Sequence, residues 1–365
     1  MDLELTPEQN ELRSLAAEFL GRRVPPDVPR AYLEGSGDAS GLWDELAELG
    51  WYSVGLEDDD PFGVPGLVVL AEQLGRVLAP SVVIDAAVAA RVAVGSAWFE
   101  RLQTSPAPVA LAVAELAAQW DLGAHDATVA GGRVSGTKIA VPHAASVDAY
   151  AVAATLDGAP ALVFVEAGAD GIEVVPEHAL DPTARSARLN LDDVEADSVL
   201  SGDAIAHAFA VGAVATAAEA VGAASAALDL AVAYAKEREQ FGRAIGSFQA
   251  VQHILADAHV LRETAWSAAL YAAAALDEDA PDAVEATTIA KAYASRAARI
   301  VVQHALQVLG GIGFTWEHDL HLFLRRVLTC EQRFGDALFH ERQLAEALVA
   351  RAEERQAATT GRSVR

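Results

Sequence analysis

At 365 residues the chain is long enough for two or three domains, and its hydrophobic content of 52% is dominated by the helix-forming residues Ala and Leu. Asp and Glu number 52 against 26 Lys and Arg, and the formal charge of −26 argues against nucleic-acid or membrane partners. Cys330 is the single cysteine, which excludes an internal disulfide and a thiolate metal cluster. Because the N-terminus lacks the basic and apolar regions of a signal peptide, we expect a cytoplasmic protein.

The first third of the chain has helical patterning. Thr6, Pro7 and Gln9 form a capping box with proline at the first helical position, and apolar residues then recur on one face. Further helices are predicted over 41–49 and 67–78, with the acidic segment 57–60 as a solvated loop. The sequence therefore predicts a helical N-terminal domain over residues 1–105.

From about residue 106 the texture changes to short β-type runs separated by Gly, Pro and Asp. Gly131 and Gly132 are typical of a hairpin turn. The predicted strands span residues 109–113, 149–152, 161–165, 171–175 and 188–191. These runs indicate a middle domain over 106–202, a small sheet or barrel.

After residue 202 the helical pattern returns. Gly310 and Gly311 are typical of residues that follow a helix C-terminus. Long helices are predicted over 204–236, 249–276, 282–309 and about 336–354. The sequence therefore predicts a helical domain over 203–355 followed by a frayed polar tail at 356–365.

Two segments of the helical part carry specific motifs. Residues 234–243 spell YAKEREQFGR and continue to SFQAVQ at 247–252, and residues 307–315 spell QVLGGIGFT. Together they resemble the carboxy-terminal signature of the acyl-CoA dehydrogenase family, and residues 42–51 and 70–80 fit the same family.

The resemblance implies a mostly α protein with a helical N-terminal domain, a central β-barrel domain and a C-terminal four-helix bundle. It also implies FAD-dependent α,β-desaturation of an acyl-CoA thioester. In the family a Glu removes the α-proton and FAD takes the β-hydrogen as hydride. The cofactor spans a subunit interface, with the flavin ring against one subunit and the pyrophosphate and adenosine held by its neighbour.

The residues of this chain suit the FAD tail. A guanidinium fork such as that of Arg238 matches pyrophosphate oxygens, although an isolated Arg more often forms a surface salt bridge. Phe241 offers an apolar wall, and the glycines allow close backbone approach. The predicted cofactor-binding residues are Arg238, Gln240, Phe241, Gln307, Gly310 and Gly311.

The flavin-ring motifs of the family are eroded. The loop Thr-Glu-Pro-x-x-Gly-Ser-Asp corresponds here to AELAAQWD at 114–121, where Glu115 matches but the Thr, Pro, Gly and Ser positions hold other residues. The segment Gly-x-Lys-x-Trp-Ile-Thr corresponds to GTKIAVP at 136–142, where Ala140 replaces the aromatic residue and Pro142 replaces the hydroxyl. Proline also removes a backbone donor.

The catalytic base of the family is missing as well. Of the two positions at which members carry it, one is occupied by Phe334 and the other by Gly212, next to Ala213 where an arginine for CoA often lies. Glu219 is a candidate substitute, since burial would raise the pKa of its carboxyl group toward that of a base. The favoured interpretation is that it is a structural partner of an arginine or lies at a subunit contact.

The motif for a neighbour's FAD tail is thus kept, whereas the motifs for the chain's own flavin ring and base are eroded. This contrast predicts the flavin-site-eroded subunit of a heteromeric bacterial acyl-CoA dehydrogenase, which acts with a catalytic partner subunit in an α2β2 assembly. The acyl-CoA substrate can be bulky, such as one with a steroid side chain. An electron-transfer protein would be the acceptor. Two alternatives remain: a homo-oligomeric dehydrogenase with Glu219 as base, and a non-catalytic scaffold or binding protein.

The segment 317–321 carries metal-ligand residue types, but no third histidine is nearby, so no metal site is predicted.

Overall fold

The computed structural model describes residues 4–56, 60–105, 107–116, 120 and 125–362; the side chains of residues 203, 204 and 354–362 are not described. Residues 57–59 of the acidic segment 57–60, and residues 117–119 and 121 of the loop 114–121, lie outside the described residues. The first part is helical, as predicted, and the Thr6 capping box is formed. Its helices are α1 (Pro7–Arg23), α2 (Asp27–Leu33), α3 (Ser40–Glu48), α4 (Gly63–Arg76), α5 (Val83–Ala93) and α6 (Ala97–Thr104).

The middle part is an eight-stranded sheet. Its strands are β1 (Val109–Ala112), β2 (Thr128–Ala130), β3 (Arg133–Val141), β4 (Ala149–Leu156), β5 (Ala159–Glu166), β6 (Ile172–Pro176), β7 (Ala187–Glu195) and β8 (Ser198–Ser201). The order is β6-β7-β3-β2-β4-β5-β8, and β1 pairs in parallel with β4. The predicted hairpin is confirmed, since Ala130 pairs with Arg133 around Gly131 and Gly132, both at positive φ.

The expectation of a β-barrel is wrong in one respect, because the sheet does not close. Within the described residues β6 pairs with β7 alone and β8 with β5 alone, so the two ends of the strand order remain edges. The strands at the centre are covered instead: every residue of β1 is buried, and so are the first six of β4. Helix α5 packs against β1, so the N-terminal helices close one face of the sheet.

The third part is built on long helices: α7 (Asp203–Glu237), α8 (Gln249–Asp277), α9 (Ala283–Leu309), α10 (Leu320–Gln332) and α11 (Ala337–Arg362). A short antiparallel ladder, β9 (Glu239–Gln240) with β10 (Arg243–Ala244), follows α7. Helix α11 extends to Arg362, beyond its predicted end near residue 354, through Ala, Glu and Arg residues that favour helix.

Helix α7 is the central helix of the molecule. It is long and apolar enough to cross a membrane, but 94% of its most apolar window is buried inside the protein, as expected of a core helix. It crosses α4 at a glycine pair: a Cβ built on Gly222 would lie 1.9 Å from the Glu72 carbonyl oxygen, and one on Gly75 would lie 2.0 Å from that of Glu219. The backbones therefore touch directly, which places Glu219 against the N-terminal helices.

Candidate functional site

The motif residues predicted to hold the FAD tail lie at one end of the helical part. Arg238 caps the C-terminus of α7, and Gly310 follows the C-terminus of α9. Ala235, near the end of α7, and Leu309, the last residue of α9, belong to one buried cluster. Arg238, Gln240 and Gln307 are exposed.

This end of the molecule is open toward solvent. Arg238 forms no ion pair with any described residue, and the side chain of Gln240 donates, among these residues, only to the adjacent Glu239 carbonyl oxygen. Phe241 is 93% exposed at φ 54°, and a Cβ on Gly310 or Gly311 would meet nothing within 4 Å. A free guanidinium, an exposed ring and accessible backbone suit a phosphorylated ligand, so these residues fit the FAD tail.

The side that would hold the flavin ring is a cavity of about 380 Å³, here called the ring cavity. It lies between the sheet and helix α10. Its walls include Ala140, Pro142, Glu177, Asp181, Glu219 and Arg326.

The wall of the ring cavity does not fit a flavin. The backbone N–H of Ala140 donates to the Glu177 carboxylate at 3.0 Å, and Pro142 has no N–H to offer. Ala140 is at φ 53°, and the register of β3 with β7 shifts between Lys138 and Val141. The donors expected to face a ring are thus either absent or bonded to a carboxylate of the same chain.

Glu115 and Lys138, which match charged residues of the family's ring motifs, form a buried ion pair. Lys138 Nζ lies 2.5 Å from Glu115 Oε1, and both side chains are almost fully buried. Glu115 also accepts from the backbone N–H groups of Asp126 and Ala127. Burial lowers the pKa of Lys138 to about 8. The pair stabilises the β1–β3 region without any ligand.

Glu219, the candidate base, is held by a buried arginine. Arg326 donates to Glu219 Oε1 at 2.8 Å and to Asp181 Oδ2 at 2.5 Å. It also donates to Thr183 Oγ1 and to the Ala79 carbonyl oxygen. One guanidinium therefore joins the segment after α4, helix α7 and the segment before β7, and the geometry favours the structural role over that of a base.

The two positions at which the family places its base meet at one point. A Cβ built on Gly212 would lie 2.5 Å from the Phe334 ring. Phe334 is buried, stacks on Trp120 with centroids 4.9 Å apart, and meets Phe209 edge-to-face. An aromatic cluster thus occupies the space in which a carboxylate from either position would lie.

Lys291 holds the turn that carries Phe334. Its Nζ, fully buried, lies within 3.1 Å of the carbonyl oxygens of Cys330, Glu331 and Gly335 and of Ser295 Oγ. Burial lowers the pKa of Lys291 to about 8. The cation satisfies the C-terminal carbonyls of α10 and fixes the left-handed Phe334-Gly335 turn.

The sequence prediction did not include Arg326, Asp181 or Lys291. Arg326 lies within the amphipathic helix α10, where a buried charge resembles an exposed one in sequence. Its partners are 107 and 145 residues away along the chain. No local pattern connects such residues, since the packing of distant helices brings them together.

Comparison with known proteins agrees with the geometry. Residues 202–349 match the family model described as acyl-CoA dehydrogenase, C-terminal domain. Acyl-CoA dehydrogenase FadE34 of Mycobacterium tuberculosis is 34% identical over 320 residues, 86% of this chain but 43% of that protein. The chain spans less than half the length of the curated relatives it matches.

Two solved heteromers share the fold. A variant of the Tcur3481–Tcur3483 steroid ACAD is 30% identical, with a TM-score of 0.86 over 95% of this chain and 99% of that chain. The ChsE4-ChsE5 complex from Mycobacterium tuberculosis is 25% identical, with a TM-score of 0.84 over 96% and 99%. With its motifs, its fold and these relatives in agreement, the chain belongs to the acyl-CoA dehydrogenase family.

Proposed function

We propose that this chain is a non-catalytic subunit of a heteromeric acyl-CoA dehydrogenase. In this proposal Arg238, Gln307 and the Gly310–Gly311 backbone hold the tail of an FAD whose ring lies in a catalytic partner subunit. When bound, FAD accepts the hydride. The observation that carries the proposal is the contact of Phe334 with Gly212, which leaves neither family base position free for a carboxylate.

The chemistry of the residues proposed to hold the FAD tail supports this assignment of the tail to one subunit and the ring to the other. The Arg238 guanidinium can donate two parallel bonds to a pyrophosphate, and its charge is not neutralised by any carboxylate in the described residues. Phe241, 93% exposed, is an apolar surface that a partner or a cofactor would cover. In the ring cavity, by contrast, the charged side chains already have partners in the same chain. Glu177 accepts from the Ala140 backbone N–H, and Arg326 donates to Glu219 and Asp181.

Two relatives guide the choice of substrate and partner. The ChsE4-ChsE5 complex pairs two different chains, and the Tcur3481–Tcur3483 protein is a steroid ACAD. We infer a bulky acyl-CoA as substrate, a second acyl-CoA dehydrogenase-like chain as partner in an α2β2 assembly, and an electron-transfer protein as acceptor.

The homo-oligomeric alternative requires Glu219 to act as a base. One of its oxygens accepts from Arg326 and the other from Cys330 Sγ, so both oxygens are already bonded within the chain. The scaffold alternative requires that no flavin bind under any condition. The unpaired Arg238 motif argues against it.

Flavin content and activity test the proposal. Purified alone, the chain should hold little flavin and should not oxidise acyl-CoA with an artificial electron acceptor. Loss of a positioned base alone costs about 10²–10⁴ in rate. Co-expressed with the partner, it should yield a flavoprotein with fewer FADs than chains, measured by absorbance against protein concentration.

Two results would contradict the proposal. An active single-chain preparation with one FAD per chain would favour the homo-oligomer, and Glu219→Gln would then be expected to abolish its activity. Absence of flavin from every co-expressed assembly would favour the scaffold.

A further inference from the structure

Helix α11 has an apolar face that the rest of the chain does not cover. Its first turns pack on the other helices, since Ala337 and His340 are buried. From residue 345 to residue 353, by contrast, every residue is exposed. Leu348 and Val349 are 50% and 57% exposed. Helices in proteins are stabilised mainly by the packing of an amphipathic face, so we expect another molecule to cover this part of α11.

Two ion pairs define the direction of α11 on α9. Arg296 pairs with Glu341 at 2.8 Å, and Arg351 pairs with Glu285. Because the residue numbers rise along α11 while they fall along α9, the two helices run antiparallel. The exposed part of α11 therefore lies at the start of α9, about 33 Å along that helix from Gln307 of the FAD-tail motif. A partner subunit on the FAD-tail residues would contact the opposite end of α9.

The apolar residues of α11 form one line along the helix. Residues seven positions apart lie on the same side of an α-helix, and residues three or four positions apart lie beside that line. Five exposed apolar residues follow this spacing, and they are here called the α11 stripe: Leu338, Ala345, Leu348, Val349 and Ala352. Leu338, at the start of the stripe, is 70% exposed. The stripe is about 21 Å long, which is enough for a second helix to pack along it.

The charged residues beside the α11 stripe are complementary to a second copy of the same helix. Helical spacing places Arg342, Glu346 and Glu353 on one flank of the stripe. Arg342 lies 4.0 Å from Glu346, at the limit of an ion pair, and Glu353 pairs with no residue of the described chain. When a twofold axis relates two antiparallel helices, the same flank of each helix meets. An axis near residues 347 and 348 would place Arg342 opposite Glu353 of the second copy, twice.

We propose that the α11 stripe is an isologous contact between two copies of this chain, with the two α11 helices antiparallel. The stripes cover each other, the two Leu348 side chains meet at the twofold axis, and two Arg342–Glu353 pairs form beside them. The contact requires neither flavin nor a partner subunit, so it is independent of the proposed function. A single helix pair is smaller than a standard interface of about 1,600 Å², so dimer and monomer should interconvert at about micromolar concentrations.

Sedimentation velocity of the purified full chain over a range of concentrations tests this contact. The native chain should change from monomer to dimer as its concentration rises. Leu348→Glu places two like charges at the twofold axis and should weaken the dimer at least about tenfold. Leu15→Glu is the matched control, because Leu15 on α1 is an apolar residue with 57% exposure, and it should leave the dimer unchanged.

Charge reversal tests the pairing across the axis. Arg342→Glu and Glu353→Arg should each weaken the dimer, because each places like charges opposite one another. The double variant should restore the dimer, because both pairs then form with their charges exchanged. The two residues lie about 16 Å apart along one helix and cannot pair within it, so restoration reports a contact between two copies.

Three results would overturn the proposal. The first is a chain that stays monomeric at every concentration. The second is a dimer that survives Leu348→Glu, since the copies would then associate through another surface, such as the FAD-tail end. The third is a double variant that dimerises no better than the single variants. Circular dichroism of each variant separates a loss of contact from a loss of fold, and the fold should be retained because every substituted side chain is exposed.

Discussion

Gly212 shows how one residue excludes a base. It lies on α7 where Phe334 packs, and a side chain there would meet the Phe334 ring at 2.5 Å and Val88 Cγ2 at 2.8 Å. Gly212→Ala should therefore reduce the free energy of unfolding by about 1–3 kcal/mol through overpacking, although Ala favours helix. Urea unfolding of the chain measures the change.

Gly21→Ala in α1 serves as the control, because an added Cβ there meets nothing within 4 Å and should stabilise by about 0.5–1 kcal/mol. In a Phe334→Ala background the cost of Gly212→Ala should fall, since the clash is removed. Equal effects of Gly21→Ala and Gly212→Ala would show that Phe334 does not occupy this space in solution.

Substitution of Arg238 tests the proposal that this chain holds the FAD tail for its partner subunit. If it binds the FAD pyrophosphate, Arg238→Ala should weaken flavin retention in the assembled enzyme by about 1.5–3 kcal/mol, or about ten- to a hundredfold. The fold should survive, because the side chain is exposed and unpaired within the described residues. Flavin release on dilution, followed by fluorescence, measures the loss. Arg22→Ala, which removes an exposed arginine paired with Glu18, should retain flavin fully; unchanged retention in both variants would refute the assignment.

At the scale of elements, the close contact between α4 and α7 fixes how the N-terminal helices pack on the central helix of the molecule. Gly75 and Gly222 bring the two backbones into contact, and Glu219 lies on α7 at that contact. Gly222→Ala should cost at least about 2 kcal/mol, because the obstacle is the Glu72 backbone rather than a flexible side chain. The same unfolding measurement applies, with Gly41→Ala in α3 as control, since a Cβ there meets nothing. A cost no larger than that of Gly41→Ala would contradict this crossing.

The elements differ in how far they could be predicted. The four long helices of the C-terminal part were predicted because their apolar periodicity runs over many turns, although α11 extends beyond its predicted end. Strands β2, β3 and β8 and helices α2, α5, α6 and α10 were not predicted. Helix α5 is buried along its whole length, so it lacks the alternation of polar and apolar faces that indicates a helix.

At the scale of the whole molecule, stability should fall in acid partly through buried histidines. His143 meets Trp43 edge-to-face, and burial lowers its pKa to about 3. An unfolded histidine titrates near 6.5. Between these two pKa values the unfolded chain binds more protons than the folded one. The free energy of unfolding therefore decreases as pH falls below about 6.5. The slope of this decrease approaches about 1.4 kcal/mol per pH unit for each such histidine.

His143→Asn should flatten this dependence by about one proton near pH 5, whatever its effect on stability at neutral pH. Urea unfolding at several pH values between 6.5 and 4.5 gives the slope. His253→Asn, at an exposed position on α8, should leave the slope unchanged. Parallel slopes for the His143 variant and the native chain would contradict the buried neutral state of His143.

The sequence alone determined the family, the succession of helical, β and helical parts, and the contrast between the motifs at 234–252 and 307–315, which match the family, and the segments at 114–121 and 136–142, which depart from it. These features are local, because they depend on residue types at short spacing. The tertiary structure alone decided that Glu219 is bonded to Arg326, that Glu115 and Lys138 pair with each other, and that Phe334 covers Gly212. It also decided that the sheet stays open. Each depends on contacts between segments far apart in the chain, which local patterns do not encode.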